Sequence, residues 1–464
     1  MATLTEQLVD FILATDYKAL PPALTHRMQA YVLDLIGVTL VGMEQTSSQI
    51  MMRTVLGEGG YPQATVMGVG KVASMSAAAL INGTAAHAIE MDDDHRLGTV
   101  HVGAVVIPAA LAVAEQTGCD GKTFIRAITM GYEVMCRIGE ALLGRQFYAG
   151  FHPTSSCGVF GAAVAAGVIL GLDRAAFVNA LGIAGTQSFG LGEWRADGSW
   201  IKRFHPGRAA QSGVLAARLA NEGFTGPATI LEGQNGYLQA FSFEKTWDES
   251  LIVRDLGKKY TAELTAFKPY PGCRFAHTAL DLGYDFHHID HIKTGDIEHI
   301  DVRVYKTDIL NYVHRPATAV IAQFCVPYLL AAMLQNGTVT LQDLTAEGIT
   351  QPTVLALADK IHVIEDPDFT AAYPERYFSD VKIKLKSGQE LSRQSDIPRG
   401  DPDAAEYQQD PSLFEIQIEE KFRSLLATSP YANRTAALIE AVNELMDQPN
   451  LDHLAAVMGA YKTN

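Results

Sequence analysis

Five short stretches of this chain place titratable or polar side chains beside apolar segments. The densest is NGTAAHAIEMDDDHRLGTVHVGAVVIPA, with Glu90, Asp92, Asp93, Asp94, His95 and His101 inside twelve residues. Carboxylates accept protons and imidazoles exchange them near neutral pH, so the pattern points to general acid–base chemistry. A run of three acids taken alone is more often a solvated loop or a helix cap. The adjoining apolar run weighs against that, because titratable charge beside a core is costly unless it is used. Asp/His sets also hold divalent ions, and a metal-dependent hydrolase centred on Asp92, Asp93, His95 and His101 is the competing class. No tight HxxxH spacing is present, so no metal is expected.

The second stretch, GRQFYAGFHPTSSCGVFGAA, sets His152, Ser155 and Ser156 in a turn before a buried helix, whose first N–H groups could hold an anion. Helix capping by either serine accounts for it equally well. In GSWIKRFHPGRAAQSG, Lys202, Arg203, His205 and Arg208 surround a Pro-Gly turn before a further helix. Cations at a helix start oppose its dipole, so they suggest a carboxylate clamp, with a solvated basic loop as the alternative. KPYPGCRFAH carries Arg274 and His277, and AQFCVPYLLAA carries Tyr328, a residue that on an apolar helix reads first as core.

These residues need elements to position them. Residues 1 to about 260 read as successive helices, and 104–117, 122–142, 158–171 and 208–222 are rich enough in Ala, Val, Leu and Gly to be buried nearly all round. The texture changes after Phe267. A Pro/Gly break and a helix near 277–288 lead to strand-like runs at 297–306, 359–366 and 380–388, with a helical stretch at 317–335 between them. The fold class expected is mainly α: a large all-helical domain from both chain ends (1–266 and 400–464) plus a smaller α+β domain from the middle (267–399).

A formal net charge of −16 over 464 residues argues against nucleic-acid binding, which needs a basic face. The N-terminal segment lacks the basic region and cleavage site of a signal peptide. The longest weakly polar run, from Gly158, is about 15 residues and short of a membrane span. A cytoplasmic protein without membrane attachment is expected. Five scattered cysteines without a CxxC pair argue against a disulfide framework and an iron–sulfur cluster.

Read in order, NGTAAHAIEMDDDH…VH, FHPTSS.GVFGAA, IKRFHPGRAAQSG, FKPYPGCRFAH, AQF.VPYLLAA and PRGDP…EEKF resemble the MmgE/PrpD family over nearly the whole chain. The resemblance implies a homodimer that works without a cofactor on a small di- or tricarboxylate. Its reactions include dehydration of 2-methylcitrate, decarboxylation of cis-aconitate and epimerisation of iminodisuccinate. Dehydration of a hydroxy polycarboxylate leads on family frequency, with the other two as alternatives. By motif, the active-site histidines fall on His101, His152 and His277, the lysine on Lys202 and the tyrosine on Tyr328. Lys202 and Arg203 are expected to hold a carboxylate, and Glu90, Asp94, Arg274 and Tyr328, the last as a hydrogen-bond donor, to bind the substrate with them. One of His101 and His152 is expected to be the base, and the other, or His277, the acid. Glu90 stands where the family usually has aspartate, and Asp94 where threonine often follows the acid pair. Asp94 adds a negative charge worth about 1 kcal/mol or more against a polycarboxylate at 4 Å, so a different carboxylate substrate is expected.

Overall fold

A computed structural model of the chain describes residues 2–307 and 309–459. It contains two compact units, one of Met1–Gly192, Ile201–Phe267 and Pro411–Asn464, the other of Glu193–Trp200 and Lys268–Asp410. Two boundaries differ from the sequence expectation. Residues 193–200 leave the helical unit, because the Trp194 ring meets Phe324 at 5.1 Å between centroids, tilted by 49°, and Gly198 lies against Ile321. Residues 400–410 stay with the middle segment, and the return begins at Pro411.

The first unit is built on helices α1 (Pro22–Met43), α2 (Met75–Ala86), α3 (Gly103–Thr117), α4 (Gly121–Ala141), α5 (Pro153–Leu170) and α6 (Ile201–Asn221). Local signals set their ends. Ser74 and Asp120 accept N–H bonds at the starts of α2 and α4, and Pro153 opens α5 without losing an intrahelical bond. Gly118 and Gly171, both left-handed, end α3 and α5. Every described residue of α5 from Pro153 to Ile169 is buried. That helix is long and apolar enough to cross a membrane by composition, contrary to the shorter run read from the sequence, yet 94% of it is enclosed by the fold. It is a core helix.

Small residues let these helices cross backbone to backbone. A Cβ on Gly83 would meet Gly207 Cα at 2.8 Å, and one on Gly207 would meet the Leu80 carbonyl at 2.2 Å. That crossing of α2 and α6 has a local consequence. The sequence suggests a Pro-Gly turn at Pro206–Gly207, whereas α6 begins at Ile201 and runs straight through it. Proline costs one hydrogen bond in the second turn, and close packing of Gly207 on α2 outweighs it.

The second unit has a four-stranded sheet of β1 (Ile297–Val304), β2 (Ile361–Glu365), β3 (Ser379–Leu385) and β4 (Glu390–Ser395), in the order β2-β1-β3-β4. The β1–β2 pair is parallel and the other two are antiparallel. Ile297, Ile300, Val302 and Val304 bury one face of β1. Helix α7 (His277–His288) packs against β3 and β4, and α8 (Val326–Asn336) against β2 and α7. The expected helix at 317–335 is broken: Ala319–Ala322 stops before Cys325, and Pro327 starts α8 afresh. Strand β4 has no counterpart among the strand-like runs of the sequence, because its residues, ELSRQS, are mostly polar. The chain is mainly α, with a smaller α+β unit from its middle.

Candidate active site

The loop after α2 returns to the helical core through a short pairing. Asp94 and His95 form a two-residue strand against Ala266 and Thr265. Glu90, at its head, adopts a left-handed backbone with φ 56°. This costs a non-glycine residue about 1 kcal/mol and is held only where surroundings over-determine it. Here Lys202, one residue into α6, does the holding: its Nζ donates to Glu90 Oε2 at 2.7 Å and Oε1 at 2.9 Å. Both side chains are buried. The third contact of the ammonium is His87 Nε2 at 2.7 Å.

Each histidine around this ion pair has its other nitrogen engaged. His87 Nδ1 donates to Asp92 at 2.7 Å, which leaves Nε2 to accept from Lys202. His101 Nδ1 lies 2.9 Å from the Asp93 carbonyl, an acceptor only, so this nitrogen carries the proton and Nε2 faces Glu90 at 3.9 Å. Asp92 and Asp94 approach the same ring at 3.7 and 3.8 Å. His152, capping position of α5, has Nδ1 3.1 Å from His205 Nδ1, and the two rings share one proton on that line. Burial pushes the His152 imidazole well below its usual range, and the neighbouring Lys202 and His205 add to this. Burial also lowers His205, to about 3, and lowers His87, although Asp92 opposes the change there. The protonated form of His152 and His205 is therefore disfavoured at neutral pH.

Asp93 faces the other way. Its carboxyl accepts from the Gly103 N–H at 2.7 Å and from the Tyr132 hydroxyl at 2.6 Å, so it caps α3. Burial raises it to about 7 against those two hydrogen bonds. His95 is also spent on structure: Nδ1 accepts from the Gly98 N–H at 3.0 Å, and Nε2 reaches the Thr261 carbonyl at 3.1 Å. The set Asp92, Asp93, His95 and His101 therefore does not converge as metal ligands, because Asp93 and His95 point into the framework. Among the described residues, the group whose ligand atoms lie close enough for a metal is His87, His101 and His152.

The structure thus brings Glu90, Asp94, His101, His152 and Lys202 together within one unit. Arg203 is buried next to Lys202 and donates to Ser47 Oγ at 3.0 Å; burial lowers its pKa. Arg208 is exposed and bonds to Gln211 on its own helix. Ser155 and Ser156 turn their hydroxyls inward, to the His152 carbonyl at 2.7 Å and to Gln146 Oε1 at 2.8 Å, so neither caps α5. Arg274, His277 and Tyr328 belong to the second unit. Arg274 donates to His277 Nδ1 at 3.2 Å and to the Arg399 carbonyl at 2.7 Å. The Tyr328 hydroxyl donates to the Asp343 and Gly348 carbonyls at 2.6 and 3.1 Å, which is structural use.

Two members of the cluster escape a reading of spacing alone. His87 sits in the same motif as Glu90, but its partner Asp92 is five residues on, off any helical repeat. His205 is three residues after Lys202, one turn along α6, a signal masked by the apparent Pro-Gly turn. A third residue that spacing does not reveal is Lys421, on the helix Leu413–Ala427. Its Nζ pairs with Asp34 Oδ1 and donates to the Met91 carbonyl, both at 2.6 Å, and so anchors the acidic loop from below.

A buried ammonium, several carboxyls and imidazoles of fixed tautomer, carried on a helical framework, are groups that can give and take protons. The MmgE/PrpD N-terminal domain matches residues 6–250 and the C-terminal domain residues 270–447. The chain belongs to the MmgE/PrpD family, and it is an enzyme of lyase, decarboxylase or isomerase type. It is similar to cis-aconitate decarboxylase of Aspergillus terreus, 27% identical over 84% of this chain and 83% of the relative. A cis-aconitate decarboxylase-like protein of Aspergillus oryzae is 25% identical over 98% of this chain and 97% of its own length. Human cis-aconitate decarboxylase is 26% identical over 82% and 79%.

Proposed function

We propose that the protein is a cofactor-independent lyase that transfers a proton at a carbon next to a carboxylate of a small polycarboxylic acid. The observation that carries this is the Glu90–Lys202 ion pair beside His101, whose Nδ1–H is tied to the Asp93 carbonyl and whose Nε2 faces Glu90 at 3.9 Å. Lys202 exchanges Glu90 for a substrate carboxylate, and Arg203 supports it. Charge that develops on the neighbouring carbon spreads into that carboxylate, where the ammonium meets it.

Loss of carbon dioxide from a cis-aconitate-type acid is the reaction to test first, because the relatives named above carry that activity in their names. The carboxyl groups of Glu90, Asp92 and Asp94 near His101 support it, since they favour departure of a substrate carboxylate as neutral CO₂. The C–C bond breaks, its electron pair stays on carbon, and a protonated His101 delivers the proton there. Dehydration of a hydroxy polycarboxylate is the second reading, favoured by the His101 tautomer, which leaves Nε2 as a base. There His101 takes the proton on carbon and the hydroxyl leaves as water with a proton from Lys202. In both readings His152, whose ring centroid lies 6.4 Å from that of His101, assists as its partner.

The test is NMR of the protein in D₂O with cis-aconitate, citrate, 2-methylcitrate and iminodisuccinate. Loss of CO₂ with deuterium in the product establishes the decarboxylase, and a new alkene from a hydroxy acid the dehydratase. Exchange at a stereocentre without net loss indicates the epimerase. No exchange and no product with any of these acids would overturn the reading.

A further inference from the structure

We propose that the imidazoles of His87, His101 and His152 form a binding site for a divalent transition-metal ion of the zinc type, and that the bound ion shuts off proton transfer at the same place. The inhibitory half of this rests on the function proposed above, whereas the binding half stands on geometry alone.

One ligand atom from each of the three rings lies within 4.8 Å of the other two, and all three residues are buried. A tetrahedral ion with nitrogen ligands at about 2.0–2.1 Å needs donors somewhat closer than that, so a small movement of the rings completes the set. The surroundings already resemble the outer support of a metal-binding imidazole. Such a ring donates its far N–H to a carboxylate or carbonyl, which fixes the tautomer and raises the basicity of the ligating nitrogen. His87 Nδ1 has the Asp92 carboxylate at 2.7 Å, and His101 Nδ1 has the Asp93 carbonyl at 2.9 Å. His152 Nδ1 has His205 Nδ1 at 3.1 Å, and donation along that line leaves Nε2 as its ligating atom. The Nε2 atoms are then the three donors.

Glu90 Oε1, 3.9 Å from His101 Nε2, stands where a fourth ligand belongs. Asp92 and Asp94, also within 4 Å of that ring, add carboxyl groups that attract a dication. Three nitrogen donors and one oxygen suit zinc, cobalt or copper far better than magnesium or calcium. The competitor is Lys202, whose Nζ lies 2.7 Å from His87 Nε2 and bonds both oxygens of Glu90. A metal ion takes over the His87 and Glu90 contacts of that ammonium, so the ion and the working arrangement of Lys202 exclude each other. The ion also occupies the nitrogen of His101 that moves the proton.

Protein stripped with a chelator is titrated with Co²⁺, read by visible d–d absorption, and with Zn²⁺, read by calorimetry. The expected result is one ion per chain, an intense low-symmetry Co²⁺ band, and displacement of Co²⁺ by Zn²⁺. His101→Asn and His87→Gln should each weaken binding by about tenfold or more, and Asp92→Asn by a similar factor. Absence of Zn²⁺ binding, a weak octahedral Co²⁺ spectrum, or binding unchanged in these variants would overturn the site. The wild-type spectrum decides even where a variant does not fold. If a substrate has been found, saturating Zn²⁺ abolishes turnover, and full turnover by the metal-bound protein would overturn the inhibitory half. A protein inactive on every acid but binding one ion would sink the proposed function and leave the site standing.

Discussion

Lys202 and Glu90 illustrate how a buried pair can be poised rather than inert. Taking two charges out of water costs several kcal/mol per ion, and their attraction repays this only with good geometry. Here the ammonium has contacts to both carboxylate oxygens and to His87, so it is well solvated by protein. Lys202→Met leaves the Glu90 carboxyl without its cation and should lower stability by about 3–5 kcal/mol as well as abolish turnover. Urea unfolding measures the first effect. Glu90→Gln separates the two roles: it keeps the shape, and its loss of stability should be smaller. His101→Asn removes the proton carrier while keeping a donor to the Asp93 carbonyl, and should lower turnover by about a hundredfold or more. Turnover within threefold of wild type in a folded His101→Asn protein would remove His101 from the chemistry.

At the level of elements, the crossing of α2 and α6 delivers the parts of the site to one another. His87 follows the last turn of α2, and Lys202 and His205 occupy the first turns of α6. The glycines at the crossing set the distance between them. Gly207→Ala would push a methyl group into the Leu80 carbonyl and the Thr84 side chain. Overpacking of this kind typically costs about 1–3 kcal/mol. Since Lys202 rides on the displaced helix, turnover should fall with stability, read as a joint drop in kcat and in the urea midpoint. Lys421 offers a parallel test from the opposite side of the acidic loop. Lys421→Met removes one partner of the buried Asp34 pair and the donor to the Met91 carbonyl, and should cost about 3–5 kcal/mol. A stability loss below 1 kcal/mol would show that the loop is held without it.

Over the whole molecule, two sets of buried titratable groups oppose each other in pH. Asp281 is raised to about 8, and Asp93 and Glu133 to about 7, chiefly by burial. A carboxyl raised on folding holds its proton longer in the native state. Its contribution is fully present below the unfolded value and is lost as pH rises through the folded one. His87, His152 and His205 are lowered by burial, so the unfolded chain takes up their protons first and stability is lost as pH falls below about 6.5. Above about 6.5 the histidines no longer contribute, and the carboxyls alone act. Unfolding midpoints should therefore fall between pH 6.5 and pH 8.5, and Asp281→Asn, which keeps an acceptor for the Arg399 N–H, should flatten that fall. A midpoint that rises across this range would contradict the assignment.

The chemistry of the acidic motif, the apolar helices and the change of texture after Phe267 were legible in the sequence, because side-chain type and period express local preference directly. The ordered motifs sufficed for the family. Spacing alone did not show that the three adjacent aspartates play unlike parts: Asp92 holds His87, Asp93 caps α3, and Asp94 enters a two-residue strand while its carboxyl approaches His101. It also did not show that His95 is structural while His87 and His205 join the cluster. Neighbours in sequence point in different directions once a chain leaves a regular helix. Which of them meet is decided by contacts between distant segments, such as Gly83 on Gly207 and Lys421 beneath Met91. The sequence determined which acids and bases are present; the packing of α2 on α6 decided which of them meet.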